Sequence, residues 1–335
     1  MTENEQSPDR ISAGALLTPD QVRRVRRRSN AWGAALVLHA WSIILTAGAM
    51  VVLLPNPVTY ILAVMLVGSR QLGLLILMHD AAHGALFRTP WMNRWVAQLL
   101  CAWPTLADTP TYRAYHLRHH RHTQGAADPD LVLTGHYPIT PASLRRKLWR
   151  DVTGRTGFAQ RRGQLLQALG EPGWPLKRRV RHFWSALGPQ LLANIVLAIA
   201  AWAGGHPWLY LTLWLIPLLT WQQLVLRVRN IAEHACVRAA DDPFSNARTT
   251  LVGWVERVFV APYWVNYHLE HHLIMWVPCY RLTTLREFLC QNGYQSRMET
   301  ERGYRAVLRR VIDVNSEDGP RRRASGTFAR GFEAA

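Results

Sequence analysis

Tyr267 to Leu273 reads YHLEHHL, and its three histidines, His268, His271 and His272, stand at i, i+3 and i+4. On a helix those offsets put side chains on one face. Three imidazoles crowded together suit neither an apolar core nor a solvated surface. They suit metal ligation, for which neutral imidazole is the commonest protein donor. The same spacing recurs at His116, His119 and His120 in YHLRHHRHT, and His79 and His83 in HDAAH stand at i, i+4. Asn230 and His234 form one more i, i+4 pair, in NIAEH. The nine histidines of these four stretches exceed the needs of one metal ion and are enough for two. An all-imidazole shell carries no negative charge, so water, hydroxide or nearby carboxylates must share the balancing. Asp80, Glu233 and Glu270 lie inside the clusters and are candidates to orient imidazole N–H groups.

The elements that must carry these residues follow from hydropathy. Four apolar runs, at about 31–54, 58–79, 188–203 and 208–226, have the length or the hairpin arrangement of membrane spans. A helix from Val58 through His83 would be about 39 Å long, so His79 and His83 emerge at the membrane surface. The fourth run leads into Asn230 and His234 in the same way. Trp91 to Leu106 is apolar but interrupted by Asn93, Arg94 and Pro104, which suits a helix lying in the interface. The fold expected is therefore mainly α-helical and integral to a membrane, with four transmembrane helices and a cytoplasmic helical cap bearing the histidines. Residues 1–30 read as a polar cytoplasmic tail, 31–290 as the membrane domain, and 291–335 as a cytoplasmic extension, disordered from about Glu317.

Orientation comes from charge. Lys and Arg total 39 against 22 Asp and Glu, a formal charge of +17 carried almost wholly by arginine. The short loops at 55–57 and 204–207 hold no Lys or Arg, whereas the N-terminus, residues 84–187 and the C-terminus are rich in them. Four spans with both termini inside satisfy the positive-inside rule at every loop and bring all the histidine clusters to the cytoplasmic side. The same distribution, basic charge beside apolar spans, favours anionic lipid over nucleic acid as its partner. The basic stretch Arg145 to Arg181 has two readings, a docking surface for an acidic protein or topology charge in contact with phospholipid. Cys101, Cys236, Cys279 and Cys290 form no CxxC and read as reduced thiols outside any ligand set. The first 30 residues lack the apolar core of a cleavable signal peptide.

Arg70 lies about 13 Å before His79 along the second span, an expensive depth for a charge. With Gln71, and with Gln222 and Gln223 on the fourth span, it reads either as the lining of a substrate tunnel or as a hydrogen-bond cluster joining spans. His39 is expected to bond a neighbouring helix. His122 points to another side of its helix, and His136, His182 and His206 read as isolated loop histidines.

HDAAH, HLRHH and HLEHH together resemble the three histidine boxes of the membrane fatty acid desaturase family. NIAEH is similar to the Asn-x-x-x-His element from which related acyl desaturases draw a further ligand. The resemblance covers roughly residues 30–290. It implies a non-haem di-iron site that activates O₂ and removes hydrogen from an unactivated methylene of a fatty acyl chain. It further implies that His79, His83, His116, His119, His120, His234, His268, His271 and His272 bind the two iron ions, with Asn230 acting through a water. The two electrons must come from outside, since the chain has no haem-binding HPGG stretch and no cysteine set for an iron–sulfur cluster. A separate ferredoxin or cytochrome b5-type donor is implied. An arginine-heavy composition points to a bacterial inner membrane. A lipid hydroxylase or a carotenoid ketolase would carry similar boxes, and a membrane metal-binding protein without enzymatic activity is the rival from another class.

Overall fold

Two side-chain caps decide where the long helices begin. In the computed structural model, which describes residues 11–238 and 241–312, α1 (Ala13–Leu16) and α2 (Pro19–Val25) precede the first of these caps. Ser29 Oγ accepts from Trp32 N to open α3 (Asn30–Leu53). Asn56 accepts from the amides of Val58 and Thr59 to open α4 (Pro57–Ala82), with Pro57 at the first position, where no amide is needed. The tail expected over residues 1–30 is folded from residue 11. Leu16, Leu17 and Val25 are buried, Asn292 Nδ2 donates to Leu16 O at 2.8 Å, and Tyr294 OH donates to Ala15 O at 3.1 Å. The partner surface lies some 270 residues away in the chain, which is why a short, weakly apolar segment reads alone as a tail.

Four helical stretches are long and apolar enough to cross a membrane: Asn30–Leu53, Pro57–Ala82, Leu176–Ala203 and Tyr210–His234. At 24–28 residues each they measure about 36–42 Å, more than a hydrocarbon core of about 30 Å requires. The third begins twelve residues before the expected 188, and the fourth runs on eight residues beyond the expected 226. α4 is the centre of the body, buried almost continuously from Val67 to Ala82. A Cβ at Gly73 would stand 2.5 Å from the Tyr263 ring, so only glycine lets that ring close on α4. The outer helices α3 and the third span turn Leu38, Leu45, Leu192, Ile195 and Ile199 outward, a surface suited to lipid tails.

After α4, Trp91–Leu106 is helical in three pieces: α5 (Pro90–Ala97), a π turn (Gln98–Ala102) and a 3₁₀ turn (Trp103–Thr105). It buries Asn93, Ala97 and Cys101 and exposes Trp91, Trp95 and Leu99, the division an interfacial helix needs. Asp108 then caps α6 (Thr109–His122). The short α7 (Leu131–Thr134) leads to α8 (Pro141–Val152), α9 (Arg155–Ala168) and α10 (Leu176–Ala203), the third span. In the fourth span a π turn (Tyr210–Leu215) and α11 (Ile216–Leu219) break at Thr220, just after Pro217, and α12 (Trp221–His234) continues.

The remainder wraps the histidine-bearing ends of α4 and α12. It comprises β1 (Thr249–Leu251), α13 (Trp254–Phe259), α14 (His268–Leu273), α15 (Leu282–Gln291), β2 (Thr300–Arg302) and α16 (Tyr304–Arg310). β1 and β2 pair in parallel, Thr249 opposite Thr300. Tyr304, Val307 and Val311 are buried, so the segment expected as an extension from 291 belongs to the body as far as residue 312. The expected disorder from Glu317 lies outside the described residues.

α9 bears on the fourth span through Gly157, whose Cβ would sit 2.5 Å from Leu219 O and 2.6 Å from Leu219 Cα. Gly157→Ala must therefore push one backbone off another. We expect a loss of about 1–3 kcal/mol, read as a lowered unfolding temperature of the detergent-solubilised protein. Gly163→Ala, on the same helix with nothing within 4 Å of its Cβ, is the control and should leave that temperature unchanged or raised.

Candidate metal centre

Each histidine stretch folds for a local reason. His79 and His83 occupy the last turn of α4, where the apolar run ends. α6 and α14 present His116, His119, His120 and His268, His271, His272 on the faces that turn inward, and five of these six are buried. His234 closes α12. The nine imidazoles meet in two groups: His79, His83, His116, His120 and His271 in one, His119, His234, His268 and His272 in the other. Within each group, ligand nitrogens lie within 4.8 Å of one another. The spacing accounts for the sorting. Residues i and i+4 are about 40° apart around a helix, whereas i+3 falls about 60° to the other side of i. Thus His116 and His120 share one group and His119 turns to the other, while His268 and His272 share the second and His271 turns to the first.

The rings are held from behind. His119 Nδ1 lies 2.8 Å from Asp128 Oδ1 and 3.4 Å from Asp130 Oδ2. His268 Nδ1 lies 3.5 Å from Glu233 Oε1, and His234 Nδ1 lies 3.3 Å from Asn246 O. An acceptor behind Nδ1 calls for the proton there and leaves the Nε2 lone pair pointing inward. Inside, the Nε2 atoms of His234 and His268 are 2.9 Å apart, those of His268 and His272 are 3.0 Å apart, and those of His119 and His272 are 3.3 Å apart. In the first group His120 Nε2 stands 2.8 Å from His116 Nε2 and 2.9 Å from His271 Nε2. Two nitrogens bound to one ion at about 2.0–2.1 Å stand roughly 2.9–3.4 Å apart. The donor set fits two cations: in the second group Nδ1 protons committed outward leave facing lone pairs that need a positive charge between them, and in the first the Nε2 atoms of His116, His120 and His271 converge at the same spacing.

Burial, followed by the neighbouring imidazoles, holds His116, His120 and His268 well below the ordinary histidine range. They stay neutral, as ligation requires. Burial works to raise the Asp128 carboxyl, but the His119 hydrogen bond and the amides of Asp130 and Gln124 outweigh it and hold the group below its usual range. Asp128 therefore remains charged behind His119. Sequence reading missed it, because it lies in a loop nine residues past the ring it orients and no helical offset joins the two.

Of the three carboxylates expected to orient imidazoles, only Glu233 reaches one. Asp80 Oδ2 instead accepts from Cys279 N at 2.7 Å, tying the end of α4 to the loop after α14. Glu270 is completely buried between Thr249 Oγ1 and Arg286, whose Nη1 lies 2.6 Å away. The reason is azimuth: Glu270 sits about 160° from His272 and so points off the opposite side of α14.

A cavity of about 290 Å³ touches both groups of histidines. His79 and His116 of the first, and His119, His234 and His268 of the second, line it together with Asn230. It continues past the apolar side chains of Leu72, Leu75, Met78, Leu218 and Leu226 to Gln222 and Gln223. Arg70 and Gln71 are not in its wall. Arg70 Nη2 donates to Val258 O and its guanidinium lies over the Tyr263 ring, while Gln71 Nε2 donates to Trp214 O at 2.7 Å. Arg70 thus joins α4 to α13 and Gln71 joins it to the fourth span, whereas Gln222 and Gln223 line the cavity. His39 Nδ1 lies 3.0 Å from Tyr263 OH, in a 3₁₀ turn rather than a neighbouring span. His122, His136, His182 and His206 belong to neither histidine group.

Arg248 is the other residue that sequence reading passed over. It is fully buried, donates to Ala232 O and Cys236 O, and pairs with Glu299 Oε1 at 3.1 Å. Its own amide donates to Glu233 O, and two residues on Thr250 N donates to Asn266 O. This segment splints the end of α12 to the start of α14.

Four apolar helices with nine imidazoles gathered at one end define a histidine-rich integral membrane protein. Residues 55–299 match the family described as fatty acid desaturase, and the chain belongs to that family, a family of oxidoreductases. It is 26% identical over 278 residues to the dihydrorhizobitoxine desaturase of Bradyrhizobium elkanii, covering 80% of this chain and 78% of that protein. It is 26% identical over 262 residues to the beta-carotene ketolase of a Paracoccus species, covering 75% and 87%. It is 26% identical over 290 residues to the sn-1 oleoyl-lipid 12-desaturase of a Picosynechococcus species, covering 79% and 80%.

Arg248→Met leaves Glu299 its pairs with Arg238 and Arg310 but takes the donors from the carbonyls of Ala232 and Cys236, and is expected to cost about 1–3 kcal/mol. The paired change Arg248→Met with Glu299→Leu also deprives Arg238 and Arg310 of the carboxylate they share, and should cost more than the single change. Unfolding temperatures of the two variants check the order.

Proposed function

We propose that this protein is a di-iron desaturase that introduces a double bond into a fatty acyl chain, using O₂ and two electrons from a separate ferredoxin or cytochrome b5-type donor. One observation carries the reading: a single cavity touches imidazoles of both groups and runs on between apolar side chains of α4 and α12. His79, His83, His116, His120 and His271 would hold one iron, and His119, His234, His268 and His272 the other, with Asn230 acting through a water. Bound there, the irons supply the oxidising power for C–H cleavage. The chain's own part is positional. Leu72, Leu75 and Met78 lay methylenes along α4 and keep water from them, while Asp128 and Glu233 fix the rings that face the substrate.

The uncharged loops at 55–57 and 204–207 support an orientation with the histidines and both termini in the cytoplasm, at the inner membrane of a bacterium. On α8 and α9 exposed Trp149, Phe158, Leu165 and Leu166 interleave with arginines. That mixture favours the headgroup layer over a soluble donor as the partner of this face.

Purified protein should carry two irons per chain by elemental analysis, with His271→Ala and His272→Ala each lowering that content. Asp128→Asn should weaken uptake of a divalent cation by about 10–100-fold, read by titrating the metal-free protein with cobalt and following its absorbance. Cells expressing the wild type, but not the His271→Ala/His272→Ala pair, should contain a fatty acid two hydrogens poorer, located by mass spectrometry of the methyl esters. A hydroxylated or keto product instead would make the protein a hydroxylase or ketolase. Iron without any product, given a donor, would point to the wrong substrate pool or to a binding protein.

A further inference from the structure

One cation in the cavity wall has no task in the metal chemistry. α9 turns Gly154, Gly157, Arg161, Gln164 and Ala168 inward at helical spacing, with Gly157 against Leu219 and Gln164 Nε2 donating to Leu106 O at 2.8 Å. Arg161 lies between these two contacts and lines the cavity, with Gln160 beside it at the rim. Its Nη1 donates to Gln164 Oε1 at 2.8 Å, while its Nε is buried and has no hydrogen-bond partner. Among the described residues no carboxylate forms an ion pair with it. The other arginines of α9, Arg155 and Arg162, point outward and are exposed. Topology charge explains those two, because charge serving only orientation stays in water. It does not explain a half-buried guanidinium set in the cavity wall with its Nε cut off from water, a cost that a polar or anionic group meeting the fork would offset.

We propose that Arg161 receives the anionic oxygen group of the substrate, a carboxylate or a phosphate, from a lipid whose methylenes lie along Leu72, Leu75 and Met78 toward the histidines. A guanidinium fork matches either group in two parallel hydrogen bonds, and the face of α9 that meets lipid carries the apolar and basic side chains of the headgroup layer, where such groups reside. The substrate class is then an acyl chain with an acidic head, as opposed to a neutral ester or a hydrocarbon. This rests on the acyl reading of the cavity given above, and binding tests it apart from oxidation.

The experiment is ligand titration of the full-length protein in nanodiscs, read by tryptophan fluorescence, with palmitate, lysophosphatidate and methyl palmitate as probes. The wild type should bind one of the two anions about tenfold or more tighter than the ester, the worth of a charge-assisted pair. Preference for palmitate assigns a carboxylate, and preference for lysophosphatidate a phosphate. Arg161→Gln should abolish the preference while leaving methyl palmitate binding as it was. Arg161→Lys, which keeps the charge without the fork, should retain part of it and carries the test should Arg161→Gln not fold. Equal binding of anions and ester by the wild type, or an undiminished preference in the variants, would overturn the proposal. Products are read separately in the same nanodiscs with an electron donor. An anion preference lost in Arg161→Gln, with no oxidised product from the wild type, sinks the desaturase reading and leaves the receptor. Product formation with an unchanged preference does the reverse.

Discussion

Nine imidazoles cannot be pressed together by their own attraction. At separations of 2.8–3.3 Å their inward nitrogens oppose one another, so the force that assembles them must come from elsewhere. It comes from the rigidity of the elements behind. α4 is held on several sides, by Arg70 and Ser69 to the carbonyls of Val258 and Phe259, by Gln71 to Trp214, and by Asp80 to Cys279. α12 is tied through Arg227 to Asp151, and through Arg248 and Glu299 to the strand pair. The centre thus depends on buried hydrogen bonds and ion pairs that contain no metal-facing atom. Such pairs are worth more as registry devices than as net stability.

The polar residues inside the spans follow the same logic. In hydrocarbon an unpaired amide or guanidinium costs several kcal/mol, so each must find a partner. Arg70, Gln71, Gln223 and Asn194 all bond to main-chain carbonyls rather than to one another's charges. Irregular backbone is the natural source of such acceptors. The π turn at Tyr210–Leu215 supplies Trp214 O, and the break near Thr220 leaves Leu218 O for Gln223.

The histidine stretches and the four spans were legible because both rest on local periodicity: i, i+3, i+4 for the ligands and uninterrupted apolar runs for the helices. Even the sorting into two groups follows from helical angle once the helices are granted. What was not legible depends on contacts between distant segments. Asp128 orients His119 from a turn whose shape comes from its own side chain accepting the amides of Gln124 and Asp130. Arg248 and Glu299 are 51 residues apart and meet only because β1 and β2 pair. Asp80 and Glu270 were candidates by proximity in sequence, yet their helical azimuth sends them elsewhere. Arg161 was one of 39 basic residues, and nothing in its neighbours' identities separates it from the arginines of the membrane surface. The N-terminal helices were missed for the same cause, since α15, against which they fold, is so far along the chain.

The two groups of ligands do not come from separate parts of the chain. His119 and His120 are peptide neighbours that turn to opposite groups, and so are His271 and His272. One short stretch of backbone therefore steers both, like a lever with a hand at either side. A shift of α14 is felt by both groups, so neither can be retuned in isolation. Were each group to hold an ion as proposed, giving the two halves different metals would mean rebuilding two helices at once.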